Sequence, residues 1–284
     1  MPKETKNHKD TVFSSLFYEC ENAVDNAKSL YKALTGKDVA EIEKCRLEDV
    51  LFREFKNDVA YIMDGKWVCF IEHQSTINPN MPLRLFVYAA RTYERFITGN
   101  SIYSSTLIKV PKPEFYVLYN GKTKLEDNSL KLSTAFSDNT GDLTAEINVK
   151  VFDINYSRMD MQLKSCHALS DYALLIEKIR QNNGNIDKAV KECVDNNVLK
   201  EYLSFYGSEV INMLFEEYNA EKALEVRGKE EYEKGLITGK SEGEKIGFLK
   251  ALVQLVKDGI LTLAEAAKRA NMTVEDFKIQ TAGL

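Results

Sequence analysis

Apolar residues recur at spacings of three and four from Asp10 to Leu34, as Phe13, Leu16, Phe17, Cys20, Val24, Ala27, Tyr31 and Leu34. That period predicts one amphipathic helix, because 3.6 residues per turn places all of them on a single stripe. Asp10 stands where a cap belongs and Gly36 just past the end. The period then changes. "VAYIM" and "KWVCFIE" are short apolar runs, and the Asp64-Gly65 between them is what a tight turn between antiparallel strands requires. After a break at "NPNMP" a second helix is predicted to about Thr98, burying Leu85, Tyr88, Ala89, Thr92 and Phe96. "FYVLYNG" and "INVKVFDIN" read as further strands, and the polar, aperiodic "EDNSLKLSTAFSDNTGD" between them as a loop.

From about Met159 the pattern turns helical. A charged segment carries Gly235, Gly239, Gly243 and Gly247 at four-residue intervals. Each glycine costs a helix about 1 kcal/mol relative to alanine. A stripe of them predicts either close approach of another helix or a frayed linker. Thr262 and Thr273, each with an acid three residues on, cap two short helices at the end. That pair suits packing, oligomerisation or half of a helix-turn-helix. The expected division is an α/β core over 8–155, a helical extension over 156–220, a glycine-periodic helix or linker over 221–257 and a helical pair over 258–284. A homodimer through the C-terminal helical region is one expected use of the glycines.

Composition narrows the function classes. In 284 residues with a net charge of −5, nothing global favours a polyanion, so any nucleic-acid contact needs a local basic surface. The longest apolar runs fall far short of the ~20 residues a membrane helix needs, so no membrane partner is expected. "MPKETKNHKD" lacks the apolar core of a secretory signal. Cysteines 20, 45, 69, 166 and 193 are odd in number and scattered. They predict reduced thiols in a cytoplasmic protein rather than a disulfide framework or a zinc site.

The candidate chemistry lies in "NDVAYIMDGKWVCFIEHQ". Its apolar strand runs straight into Glu72, and a carboxylate entering a core costs several kcal/mol unless something pairs with it. Asp58 and Glu72 are fourteen residues apart with the turn at 64–65 near the midpoint, which puts both at one end of the hairpin. Two carboxylates there repel unless a cation joins them, and oxygen donors suit Mg2+ or Mn2+. Alternation sends Glu72 and Gln74 to one face and the His73 side chain to the other, with the His73 backbone carbonyl still within reach of a metal. Arg84, Tyr88, Arg91 and Arg95 follow at spacings of four, three and four. Arg84 and Arg91 are candidate DNA-phosphate contacts, Arg84 foremost, whereas a solvated helix face with Arg95 paired to an acid would give the same pattern.

The stretch from Asn57 to Phe96, "NDVAYIMDGKWVCFIEHQSTINPNMPLRLFVYAARTYERF", resembles the signature region of the Rpn recombination-promoting nucleases, also described as YhgA-like transposases. "HKDTVFSSLF", "FYVLYNG" and the glycine-periodic tail extend the resemblance over most of the chain. It implies a PD-(D/E)XK nuclease-like core, a mixed sheet flanked by helices, that hydrolyses DNA phosphodiesters with Mg2+ or Mn2+. The motif acids map to Asp58 and Glu72, and Gln74 takes the place of the usual lysine. Glutamine can orient water or phosphate by hydrogen bonds but cannot neutralise charge. A supporting acid on the first helix is implied as well, for which Asp10, in "HKD", is preferred over Glu19. A nuclease-like scaffold that binds DNA or protein without cutting is the alternative, and a transposase with its own acidic triad ranks last.

Overall fold

The computed structural model describes residues 11–45, 58–97, 101–138, 140 and 142–283. They form two compact units, Met1–Tyr218 and Asn219–Leu284.

The first unit is built on one mixed sheet. Its strands are β1 (Ile42–Lys44), β2 (Val59–Met63), β3 (Trp67–Gln74), β4 (Lys112–Tyr119), β5 (Ser129–Lys131) and β6 (Asn148–Asp153), in the order β1-β2-β3-β4-β6-β5. The expected hairpin is there. Val59 opposes Ile71 and Met63 opposes Trp67, and Asp64 and Gly65 both take positive φ, at 49° and 64°. Such dihedrals match the right-handed twist of the strands they join. The helix after β3 then crosses over, so that β4 returns parallel to it, with Glu72 beside Val117 and Gln74 beside Tyr119.

Alternation divides the core in two. Val59, Tyr61, Cys69, Ile71, Tyr116 and Leu118 face one layer of helices. That layer comprises α1 (Val12–Ser14), α2 (Ala23–Thr35), α4 (Met161–Lys164), α5 (His167–Gln181), α6 (Ile186–Asp195) and the start of α7 (Lys200–Lys257). Ala60, Val68, Phe70, Phe115, Val117 and Val151 face the other way, where α3 (Met81–Glu94) supplies Met81, Leu85, Tyr88 and Ala89. Phe70 and Ile71 are fully buried on opposite sides, each contributing about 2 kcal/mol through apolar burial.

Three expectations need correction. The single helix over Asp10–Leu34 is broken: α1 passes into a π turn at Ser15–Glu19, and Cys20 adopts extended dihedrals, φ −64° and ψ 167°. The break shifts the phase, so Ala23, Ala27, Leu30 and Tyr31 are buried while Val24 is 40% exposed. Thr11 is the cap, accepting from Ser14 N at 3.1 Å. The segment read as a loop holds β5 and a 3-10 turn at Leu132–Ala135, which bury Leu132 at the sheet's edge. α3 ends at Glu94, short of Thr98.

The second unit contains the rest of α7 and two short helices, α8 (Leu263–Arg269) and α9 (Val274–Thr281). Thr262 and Glu265 form the expected reciprocal cap, and Leu249, Leu252, Ala266, Ala267 and Phe277 make a small core. Among the described residues, a Cβ at Gly235, Gly239, Gly243 or Gly247 would find no atom within 4 Å beyond its chain neighbours and its own helix backbone. Among the described residues no helix is long and apolar enough to cross a membrane, and all five cysteines are free.

Candidate active site

The site forms where β3 runs out between its neighbours. Glu72 is 3% exposed although it carries a carboxylate. Its Oε1 accepts from Asp58 N at 3.2 Å, across the register step that follows Val59 and Ile71. Asp58 in turn accepts from His73 N, 2.8 Å from Oδ2. The two acids are thus laced to each other's strands through backbone donors. The structure brings Asp58, Glu72, His73 and Gln74 together at one end of the hairpin. Ser14 on α1 donates to the Asp58 carbonyl at 3.2 Å, fastening the start of β2 from the helical layer.

Peptide edges are divided at this strand end. The Gln74 carbonyl accepts from Asn120 N at 3.0 Å, on the β4 side. His73 N points to the β2 side, and its carbonyl shares that edge because N–H and C=O of one strand residue point the same way.

Side chains divide likewise. His73 faces the helical layer, stacked on Phe13 with ring centroids 5.0 Å apart and edge-on to Tyr172, whose hydroxyl lies 3.3 Å from Nε2. Burial, and then the charge of Arg180, push its imidazole down to about 4. It is neutral near pH 7, a packing and hydrogen-bonding residue on that face.

Glu72 and Gln74 face α3. Gln74 Nε2 lies 2.8 Å from the Met81 thioether, a weak acceptor, while Oε1 is buried with no partner among the described residues. An acceptor left so costs about 1–3 kcal/mol. Arg84, on the first turn of α3, donates from Nη2 to Glu72 Oε2 at 3.3 Å and to the Tyr88 hydroxyl at 3.1 Å. Burial works against its charge, but the Tyr88 hydroxyl, Glu72 and Asp58 outweigh burial and raise its pKa.

The arginine stripe is not a uniform surface. Tyr88 is wholly buried, Arg84 is paired with Glu72, and Arg95 donates to the Cys45 carbonyl at 3.3 Å. Arg91 is half-buried and Glu19 exposed. Asp10 lies outside the described residues. Met81 and Tyr172 are the neighbours that sequence reasoning passed over as site residues. Their signal was hidden because each also reads as ordinary core.

Among the described residues no group of three or more His, Cys, Asp and Glu side chains is placed to hold a metal. The oxygen donors at hand are the Asp58 and Glu72 carboxylates and the His73 carbonyl. This set fits Mg2+, which keeps several waters and binds through one or two carboxylates plus substrate phosphates. The Gln74 Oε1 acceptor lies beside it, buried.

The sequence profile of the family described as "Putative transposase, YhgA-like" matches residues 7–202. No curated protein and no solved structure matches the chain.

Proposed function

The chain belongs to the YhgA-like transposase family, and from that premise we propose that it is a metal-dependent DNA endonuclease with a PD-(D/E)XK nuclease-like core. One observation carries the reading. A carboxylate pair joined across adjacent strands, its inner member buried, stands beside an amide acceptor with no partner among the described residues.

Asp58, Glu72 and the His73 carbonyl would hold Mg2+ or Mn2+. When bound, the cation would supply Lewis acidity toward a water and toward the scissile phosphate. Gln74 Oε1 accepts from the attacking water and so aims it, without adding charge. The ladder on both edges of β3 keeps these donors in register, so little reorganisation is needed as the phosphate gains charge. Arg91, with Arg84 once it leaves Glu72, would furnish the local positive surface that a net charge of −5 does not. Five free thiols fit a reducing cytoplasm.

The test is nicking of supercoiled plasmid. Wild type should cut with Mg2+ or Mn2+ and stop with EDTA. Asp58→Ala and Glu72→Ala should each fall by orders of magnitude, because each loses a ligand for the charge that stabilises the transition state. Equal cutting by all three would assign the activity elsewhere. An intact plasmid under every condition, with DNA still bound, would favour the non-cleaving scaffold.

The reading extends to a homodimer. Among the described residues no side chain lies within 4 Å of a Cβ at Gly235, Gly239, Gly243 or Gly247, and Leu236, Ile237 and Phe248 nearby are at least half exposed. A second copy packing on these glycines would bring a second site to the opposite DNA strand. Sedimentation should then find wild type dimeric and the Gly239→Leu/Gly243→Leu variant monomeric. Identical sedimentation of the two removes the dimer.

A further inference from the structure

A carboxylate that is 3% exposed needs a compensating charge whether or not a metal is present. In this structure Arg84 provides it, 3.3 Å from Glu72 Oε2. The other Glu72 oxygen, Oε1, accepts from Asp58 N and keeps a second lone pair. A cation shared with Asp58 would draw on the same carboxylate that Arg84 neutralises, so the two compete for one counter-charge. They also repel each other, strongly so in a site of low dielectric.

Arg84 has somewhere to go. Its side chain is 34% exposed and starts on the first turn of α3, after the connection at 75–80. Tyr88 is its second anchor, at 3.1 Å. That hydroxyl lies on a fully buried side chain four residues along the same helix, so it can steady the guanidinium while the fork turns outward.

We infer that Arg84 is an internal counter-ion that a divalent cation displaces from Glu72, so that cation binding releases Arg84 to the DNA backbone. The inference rests on the reading of Asp58 and Glu72 as a metal site. It makes binding of cation and DNA mutually reinforcing. The metal-free protein keeps its best phosphate donor turned inward, and the loaded protein presents it. By reciprocity, DNA that captures Arg84 tightens the cation by the same factor.

Calorimetric titration of MnCl2 into wild type, Arg84→Met and Glu72→Gln, without DNA, tests this together with thermal melts in EDTA and in saturating Mn2+. Arg84→Met should bind Mn2+ about tenfold more tightly than wild type, within the usual range of coupling between sites. It should also melt below wild type in EDTA, with the gap closing once Mn2+ takes over the counter-charge. Glu72→Gln should bind poorly. Equal or weaker Mn2+ binding by Arg84→Met, or a melting gap that Mn2+ leaves unchanged, overturns the inference while the metal site stands. Absence of Mn2+ binding by wild type overturns the metal site and the inference with it. Should Arg84→Met not fold in EDTA, Arg84→Lys, which keeps the charge but loses the fork, carries the same comparison with an expected gain of about threefold.

Discussion

Glu72 and His73 are neighbours on β3, yet the two faces of the sheet treat them in opposite ways. His73 enters a finished environment, with Phe13 stacked on its ring, Tyr172 at its edge and a hydroxyl at its Nε2. Glu72 enters a less complete one, where Arg84 compensates the carboxylate at 3.3 Å and Gln74 Oε1 beside it has no partner among the described residues. Packing on the first face already satisfies its polar group. On the second, the polar groups are held in position with one buried acceptor, Gln74 Oε1, left without a partner among the described residues.

Breaking each face separately sharpens the contrast. On the α3 face, Gln74→Leu removes the orphaned acceptor. Nicking should drop by about 100-fold as the water loses its aim. The protein should become more stable, by about 1 kcal/mol, since a buried unsatisfied group is gone. Denaturant midpoints beside nicking rates check both signs. A loss of stability would mean that the amide serves the core.

On the other face the effect is on stability and depends on pH. The folded imidazole sits at about 4, whereas an unfolded one titrates near 6.5. Below 6.5 the unfolded chain therefore binds the extra proton first. The stability present above pH 6.5 is lost as pH falls toward 4, by at most about 3 kcal/mol from this group. His73→Phe keeps the stacking on Phe13 and removes the titration. Unfolding at pH 7 and pH 4.5 should show a smaller pH dependence in the variant, with nicking at pH 7 little changed. An unaltered slope would assign the acid sensitivity to other groups.

The hairpin, and with it this contrast, was legible in the sequence. Asp64-Gly65 marked the turn, its place near the midpoint between them put Asp58 and Glu72 at one end, and alternation separated His73 from Glu72 and Gln74. The phase of the first helix was not, because a π turn and an extended Cys20 insert a step that an unbroken 3.6 period cannot represent. β1 and β5, three residues each, are too short to display alternation, and their neighbours in the sheet define them. Arg84 was found, but its pairing was hidden. Twelve positions separate it from Glu72, and their meeting depends on how α3 is laid across the strand.

The hydrogen-bond ladder around β3 has a mechanical consequence. The strand is gripped on both edges, by β2 up to Val59 opposite Ile71 and by β4 as far as Tyr119 beside Gln74, with Asn120 adding a last bond to Gln74 O. Displacing the Glu72 backbone means breaking several such bonds, each worth about 1 kcal/mol net. Turning the Arg84 guanidinium takes a rotamer change, ordinarily complete in picoseconds to nanoseconds for an exposed side chain. Stiffness and compliance are therefore assigned to different residues. The strand end sets the spacing that chemistry must not vary, and one side chain on α3 absorbs whatever variation a substrate brings.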